Sequence, residues 1–236
     1  MSEPVGLPEA SGKIQRQEPG LRELKKQRTR QLIAETARRL FAERGFDAVP
    51  VAAVARAAEV SEATVFNYFP TKEDLVYQGL EAFEAELLGA VGDRPDGESI
   101  AVAFGRFVLQ PRGLLAAKDE VSARYLTDVS RMIAASPALL AREQQILARF
   151  TASLAELIAR DTGATADDVR PWVTAHALMG VHQSLIALVR RRLTEEPVDR
   201  AGLAEEVLAR GREAVDLLAA GLGGYGAARG RAGGER

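Results

Sequence analysis

At 236 residues, with 47% hydrophobic and 27% charged side chains, the chain has the balance of an ordinary globular protein and the length for one or two cores. It has no Cys, which excludes disulfides and thiolate chemistry, and no unbroken apolar run of the roughly 18 residues that a membrane span needs; MSEPVGLPEASGK at the N-terminus lacks a signal-peptide core, so a cytosolic protein with no membrane partner is expected. The net charge of −2 hides an uneven distribution: between Lys13 and Arg44 ten basic residues stand against four acidic ones, a local surplus of six.

Residues 1–20 mix Pro, Gly, Glu and Ser with few apolar groups and read as a disordered tail. A long helix follows, ending near Gly45. Lys25, Lys26, Arg28 and Arg30 lie just before it or at its start, where they can neutralise phosphates or enter a minor groove, or simply form a solvated helix end. A short helix is predicted from Val51 to Ala58, with Val51, Val54, Ala55 and Ala58 on its inner side. Ser61 then stands as an N-cap before EATVFNYF, whose Val65 and Phe69 face inward. The opposite face carries Ala63, Thr64, Asn67 and Tyr68, short or planar groups able to approach base edges and phosphates.

These residues resemble a known family. From about residue 28 to 76 the chain is similar to the N-terminal domain of TetR-type bacterial transcriptional regulators. The similarity rests on the first-helix pattern of Ala37, Leu40, Phe41, Ala42, Glu43, Arg44, Gly45 and Phe46, on VAAVARAAEVS, and on TVFNYFPTKEDLV ending at Val76. It covers about a fifth of the chain at motif strength. The resemblance implies that the first helix braces a helix-turn-helix formed by the second and third, and that Lys72 grips a phosphate. Four positions depart from the pattern. Glu59 replaces the usual turn Gly, and a left-handed backbone there would cost roughly 1 kcal/mol more than with Gly. Pro50 replaces a Thr and offers a phosphate neither hydroxyl nor N–H. Phe66 stands for a common Tyr and can still touch a thymine methyl. Glu62 stands for a basic residue and has two roles open to it, accepting from cytosine N4 or complementing the helix N-terminus.

Beyond the motif the chain continues as amphipathic helices. A fourth helix is predicted from about Thr71 to Ala90 with Thr71 as its cap, and a breaker cluster at residues 92–99 precedes a helix through IAVAFGRFVL. Helices follow over DEVSARYLTDVSRMIAA and, from Pro137, over PALLAREQQILARFTASLAELIARD. The last two run from about Ala166 to Leu193, behind a Thr cap, and from about Asp199 to Leu222. Residues 223–236 are rich in Gly and Arg and read as a second disordered tail.

Phe104, Phe107, Tyr125, Met132, Phe150, Trp172, His176, Met179 and Gln183 are candidates for the lining of a cavity among these helices, core packing being the other reading of each. His176, Met179 and Gln183 share one helical face, whereas His182 faces elsewhere, toward a subunit interface. Two His six apart cannot chelate one metal from a single helical face, and there is no HExxH, GxSxG or P-loop, so neither a catalytic residue, a metal nor a cofactor is expected. In the final helix Leu203, Val207, Leu208, Val215, Leu218 and Leu222 spread too widely for one intrachain contact, while Ala204, Ala209, Gly211 and Ala214 permit close approach to a symmetry mate.

The expectation is therefore an all-α protein. It has a disordered tail (1–20), an N-terminal three-helix helix-turn-helix DNA-binding domain (21–70), a larger α-helical ligand-binding and dimerisation domain (71–222) and a second tail (223–236). The DNA-contacting set is Lys25, Lys26, Arg28, Arg30, Val51, Ser61, Glu62, Ala63, Thr64, Phe66, Asn67, Tyr68 and Lys72. Its partners are a pseudo-palindromic double-stranded operator, a hydrophobic or aromatic small-molecule effector and a second copy of the chain, as for a repressor released by its ligand. The competing readings are a helical adaptor and a small-molecule-binding enzyme of unknown reaction.

Overall fold

The computed structural model describes residues 20–112, 116, 119–193 and 200–222, and both expected tails lie outside them. Among the described residues every regular element is helical. There are nine α-helices, α1 (Leu21–Arg44), α2 (Val51–Ala57), α3 (Glu62–Tyr68), α4 (Leu80–Gly92), α5 (Ile100–Val108), α6 (Glu120–Ala135), α7 (Pro137–Thr162), α8 (Arg170–Arg192) and α9 (Arg200–Leu222), with a 3-10 turn at Glu73–Leu75.

Two apolar cores organise them. The first gathers Ile33, Ala37, Leu40 and Phe41 of α1, Phe46 and Val49 of the following loop, Val54 and Ala55 of α2, and Val65 and Phe69 around α3. Leu75 joins it, as do Ile133 of α6 and Leu139 of α7, so the three N-terminal helices, the expected reading head, are seated on the longer helices that follow. The second core gathers Leu87 and Val91 of α4, Ile100, Phe104 and Phe107 of α5, Phe150, Leu154 and Ile158 of α7, Leu178, Met179 and Leu185 of α8, and Leu203, Val207 and Val215 of α9.

Local chemistry sets the helix starts. Ser61, Ser99 and Ser136 each accept a backbone N–H from the third residue on, capping α3, α5 and α7. Thr71 caps as expected, in a reciprocal arrangement: its Oγ1 accepts from Asp74 N–H at 3.3 Å and its own N–H donates to Asp74 Oδ2 at 3.0 Å. That cap opens only the short 3-10 turn. The single helix expected from Thr71 to Ala90 is broken at Gly79, whose φ of 79° reverses the chain before α4 begins at Leu80. α8 likewise starts later than the sequence suggested. Thr165 to Asp168 form a turn, and the helix begins at Arg170 with Pro171 in its first turn, where the missing N–H costs nothing.

α8 has the length and apolar content of a membrane span, but its apolar side packs inside the bundle. Thr174, Ala175, Leu178, Met179, Val181, Leu185 and Leu188 are buried there. Gly211 and Val215, expected to meet a symmetry mate, instead face the chain's own α5. A Cβ on Gly211 would run into Leu109, and Val215 covers Gly105. Ion pairs bind the helices further: Arg190 holds Glu143 through two contacts of 2.7 and 2.5 Å, and buried Arg94 reaches Asp161 as well as the carbonyls of Val91 and Glu98.

Candidate nucleic-acid interface and effector cluster

The turn between α2 and α3 closes through Ala58 N–H to Val54 O at 2.9 Å, Glu59 N–H to Arg56 O at 3.2 Å and Val60 N–H to Ala55 O at 2.9 Å. Glu59 takes the left-handed backbone at φ 55°, the conformation its position in the motif implies and the one that glycine adopts without cost. Val54, Ala55, Ala58, Val65 and Phe69 lock the two helices into the first core and so orient α3.

That orientation leaves Ser61, Glu62, Ala63, Phe66 and Asn67 exposed along one side of α3, with the Phe66 ring 45% accessible. The Phe66 ring gives this otherwise short and polar face one apolar group, of the kind that can meet a thymine methyl in a major groove. Thr64 is only half open. Its hydroxyl is 2.8 Å from Ser61 Oγ, which also accepts the Thr64 N–H at 3.0 Å, so the side chain serves the cap as well as the surface. Tyr68 is half-buried against the first core. Lys72 lies with its Nζ 4.3 Å from the Phe46 ring centroid and 6.0 Å from that of Phe41, so the aromatic faces hold its ammonium at the edge of the head.

Besides Tyr68, two residues of the expected set are placed differently. Val51 is half-buried and packs on the first core, because the inner side of so short a helix takes in its first residue. Arg30 lies within α1 rather than ahead of it, with its guanidinium 5.0 Å from the Phe69 ring centroid and 3.7 Å from Glu81. Lys25, Lys26 and Arg28 are exposed on the early turns of the same helix, which is continuous from Leu21.

The ligand candidates divide similarly. Phe104, Phe107, Phe150 and Met179 converge in the second core, with Gln183 half-buried nearby on α8. Phe83, which the sequence did not single out, completes the cluster, its ring 5.3 Å from Phe107 and 6.0 Å from Phe150. The histidines exchange roles. His182 stacks on Phe83 at 5.3 Å, and burial pushes its imidazole down to about 4 although nearby Glu143 acts in the opposite direction. His176 is exposed and lies beside exposed Trp172, ring centroids 6.1 Å apart. The core-facing arc of α8 is centred near Leu178, and at about 100° per residue His176 falls about 200° away while His182 falls within it. Met132 packs against the first core instead of the phenylalanines, because its stretch of α6, with Val129 and Ile133, lies on that core. Tyr125 lies on α6 with its side chain outside the described residues. Burial also holds the Tyr77 phenol above its usual range, with Glu143 adding to the effect; its hydroxyl donates to Leu139 O at 2.8 Å and ties the two cores together.

Comparison with known proteins agrees with this architecture. The pattern of bacterial regulatory proteins of the tetR family matches residues 33–78, and that of the MftR C-terminal domain matches residues 116–223. The HTH-type transcriptional regulator TcmR of Streptomyces glaucescens is 36% identical over 81 residues, 34% of this chain and 36% of its own. The HTH-type transcriptional regulator LuxR of Vibrio harveyi is 42% identical over 67 residues, 28% of this chain and 33% of its own. The aligned segments thus span about a third of the length of these relatives. NalD, the secondary repressor of the MexAB-OprM multidrug efflux pump in Pseudomonas aeruginosa, shares the fold at a TM-score of 0.50 and 19% identity, over 80% of this chain and 97% of its own. The two family patterns together take in well over half of the residues, and the chain belongs to the TetR family of bacterial regulatory proteins.

Proposed function

We propose that the protein is a homodimeric transcriptional repressor of the cytoplasm that releases its operator when a small hydrophobic or aromatic molecule binds. The observation that carries this reading is the outer side of α3: Glu62, Ala63, Phe66 and Asn67 stand open on a helix whose other side is locked in a core, with Lys72 at its edge. Such a helix enters a major groove with its polar groups toward base edges, and lysines and arginines nearby neutralise phosphates. Lys25, Lys26 and Arg28 at the start of α1 extend the basic surface. That TcmR and LuxR are HTH-type transcriptional regulators and NalD a repressor supports the same reading.

Dimerisation would use the outer sides of α8 and α9, where Trp172, Val173 and Leu217 are 48%, 57% and 75% accessible. Two copies of α3 would then read half-sites about one helical turn apart. The effector would enter the cluster of Phe83, Phe104, Phe107, Phe150, Met179 and His182. These rings already touch, so a ligand would have to part them, and that displacement would reach the reading head through α7, which carries Phe150 in the second core and Leu139 in the first. A coupling of roughly 1–3 kcal/mol is the scale for release. Selection of genomic fragments by the purified chain, followed by gel shift in a salt series, tests the proposal. The expected outcome is a two-fold-symmetric site bound at least about 1,000-fold more tightly than random duplex. Binding no tighter than to random duplex would rule it out.

A further inference from the structure

We propose that Glu62 sets part of the operator's sequence, as the residue that selects a cytosine in each half-site. The assignment rests on the repressor reading, in which α3 lies in a major groove and the first residues of such a helix meet base edges. Glu62 is the first residue of α3 and is exposed, as is Phe66 one turn further along the same flank. A carboxylate there can also serve the helix start, but that task is already met. Ser61 Oγ accepts the Thr64 N–H at 3.0 Å and lies 2.8 Å from the Thr64 hydroxyl. Glu62 itself takes no hydrogen bond or ion pair among the described residues, not even with Arg56, exposed in the last turn of α2. Its two oxygens are left for a partner outside the chain.

Charge decides what such a group can meet. An ionised carboxylate only accepts hydrogen bonds, so phosphates repel it, and guanine N7 and O6 and thymine O4, being acceptors, offer it nothing. Adenine presents its N6 amino group with the N7 acceptor beside it. Cytosine presents its N4 amino group with no acceptor alongside, so cytosine is the base that a carboxylate fits. The same charge weakens binding to every other sequence, and discrimination thus comes from repulsion as well as attraction. Phe66 supplies a neighbouring preference. At about 1.5 Å of rise per residue it stands roughly 6 Å beyond Glu62 along the helix, or about two base steps of roughly 3.4 Å. A thymine whose methyl meets the ring is therefore expected about two positions from the cytosine.

Selection from random duplexes by the full chain and by Glu62→Gln provides the test. The native chain should yield a half-site with a fixed cytosine. In Glu62→Gln that position should turn to adenine or lose its preference, and the variant should bind random duplex more tightly, having lost a charge that phosphates repel. Gln is nearly isosteric and leaves the Ser61 cap in place, so thermal unfolding should barely move; a role in helix stability alone would instead lower the unfolding temperature and keep the same bases. A second measurement uses N4-methylcytosine at the selected position of both half-sites. It still pairs with guanine, but a methyl group replaces the amino hydrogen that faces the major groove. Binding should weaken at least about fivefold for the native chain and less than about twofold for Glu62→Gln. A selected site without a fixed cytosine, the same selection by the variant, or a native chain indifferent to the methyl group would each overturn the assignment and leave the repressor reading standing. Failure to prefer any duplex would remove both.

Discussion

The methyl groups of Val215 on α9 occupy the space that a side chain at Gly105 on α5 would need: a Cβ there would lie 2.5 Å from Val215 Cγ1 and 3.0 Å from Cγ2. Valine is stiff about χ1 and cannot swing aside, so the two helices approach only because residue 105 is Gly. Gly105→Ala should therefore cost about 1–2 kcal/mol, overpacking outweighing the gain in helix propensity. Pairing it with Val215→Ala should recover part of that loss in a double-mutant cycle read by urea denaturation. Additive losses would show that the contact is looser than drawn. By the same geometry Val215→Glu should disrupt the monomer's own core rather than separate two copies.

A cleaner probe of association lies on the outer surface. Val173→Glu and Leu217→Glu replace exposed apolar side chains, so each should retain helicity and thermal stability. If α8 and α9 meet their symmetry mates, each charge is introduced twice, and sedimentation should show dimer affinity reduced by at least roughly 100-fold. A dimer unchanged in both variants would place the interface on another face.

Lys72→Met keeps the aliphatic stem over Phe46 and removes the ammonium. It should weaken operator and random duplex alike and lower the magnitude of the salt slope by about 0.9, as expected for one lost phosphate contact. Asn67→Ala, on the open side of α3, should instead alter base preference with the slope unchanged. The two are separated by repeating the gel shift at several salt concentrations.

Burial of His182 makes stability depend on pH. Its imidazole titrates at about 4 in the folded chain and near 6.5 when unfolded, so between these values the unfolded chain binds the extra proton. The stability is therefore complete above about pH 6.5, falls as the pH drops toward 4, and levels off below that, a loss of roughly 3 kcal/mol from this group. His182→Phe should flatten that part of the profile while keeping the ring stacked on Phe83. An equal slope in the variant between pH 4.5 and 6.5 would assign the dependence to other groups.

Glu59 at φ 55° holds a backbone conformation that costs a side-chain-bearing residue about 1–2 kcal/mol. Glu59→Gly relieves it but adds freedom to the unfolded chain, so a net gain of about 0.5–1 kcal/mol is expected in thermal unfolding, with DNA affinity unchanged. A loss of stability would mean that the Glu side chain contributes more than its backbone costs.

The reading head was legible in the sequence because its determinants are local. Ser61 needs only the N–H three residues on to cap α3, the apolar spacing of Val54, Ala58, Val65 and Phe69 sets which side turns inward, and the turn at Glu59 follows from the motif. Helix content throughout the chain was equally local. What the sequence alone left open concerned partners distant along the chain. Which residues of α8 face the core depended on α7 and α9, and anchoring the face on polar residues placed His176 inside and His182 outside, the reverse of what packing selects. Gly211 and Val215 resembled a surface for a second copy until α5 was laid against them, and Met132 resembled a pocket residue until α6 was seen to brace the head. Periodicity tells a helix how wide its apolar stripe is; only the arrangement of its neighbours decides which part of that stripe is covered within the chain and which stays open to a ligand or a partner.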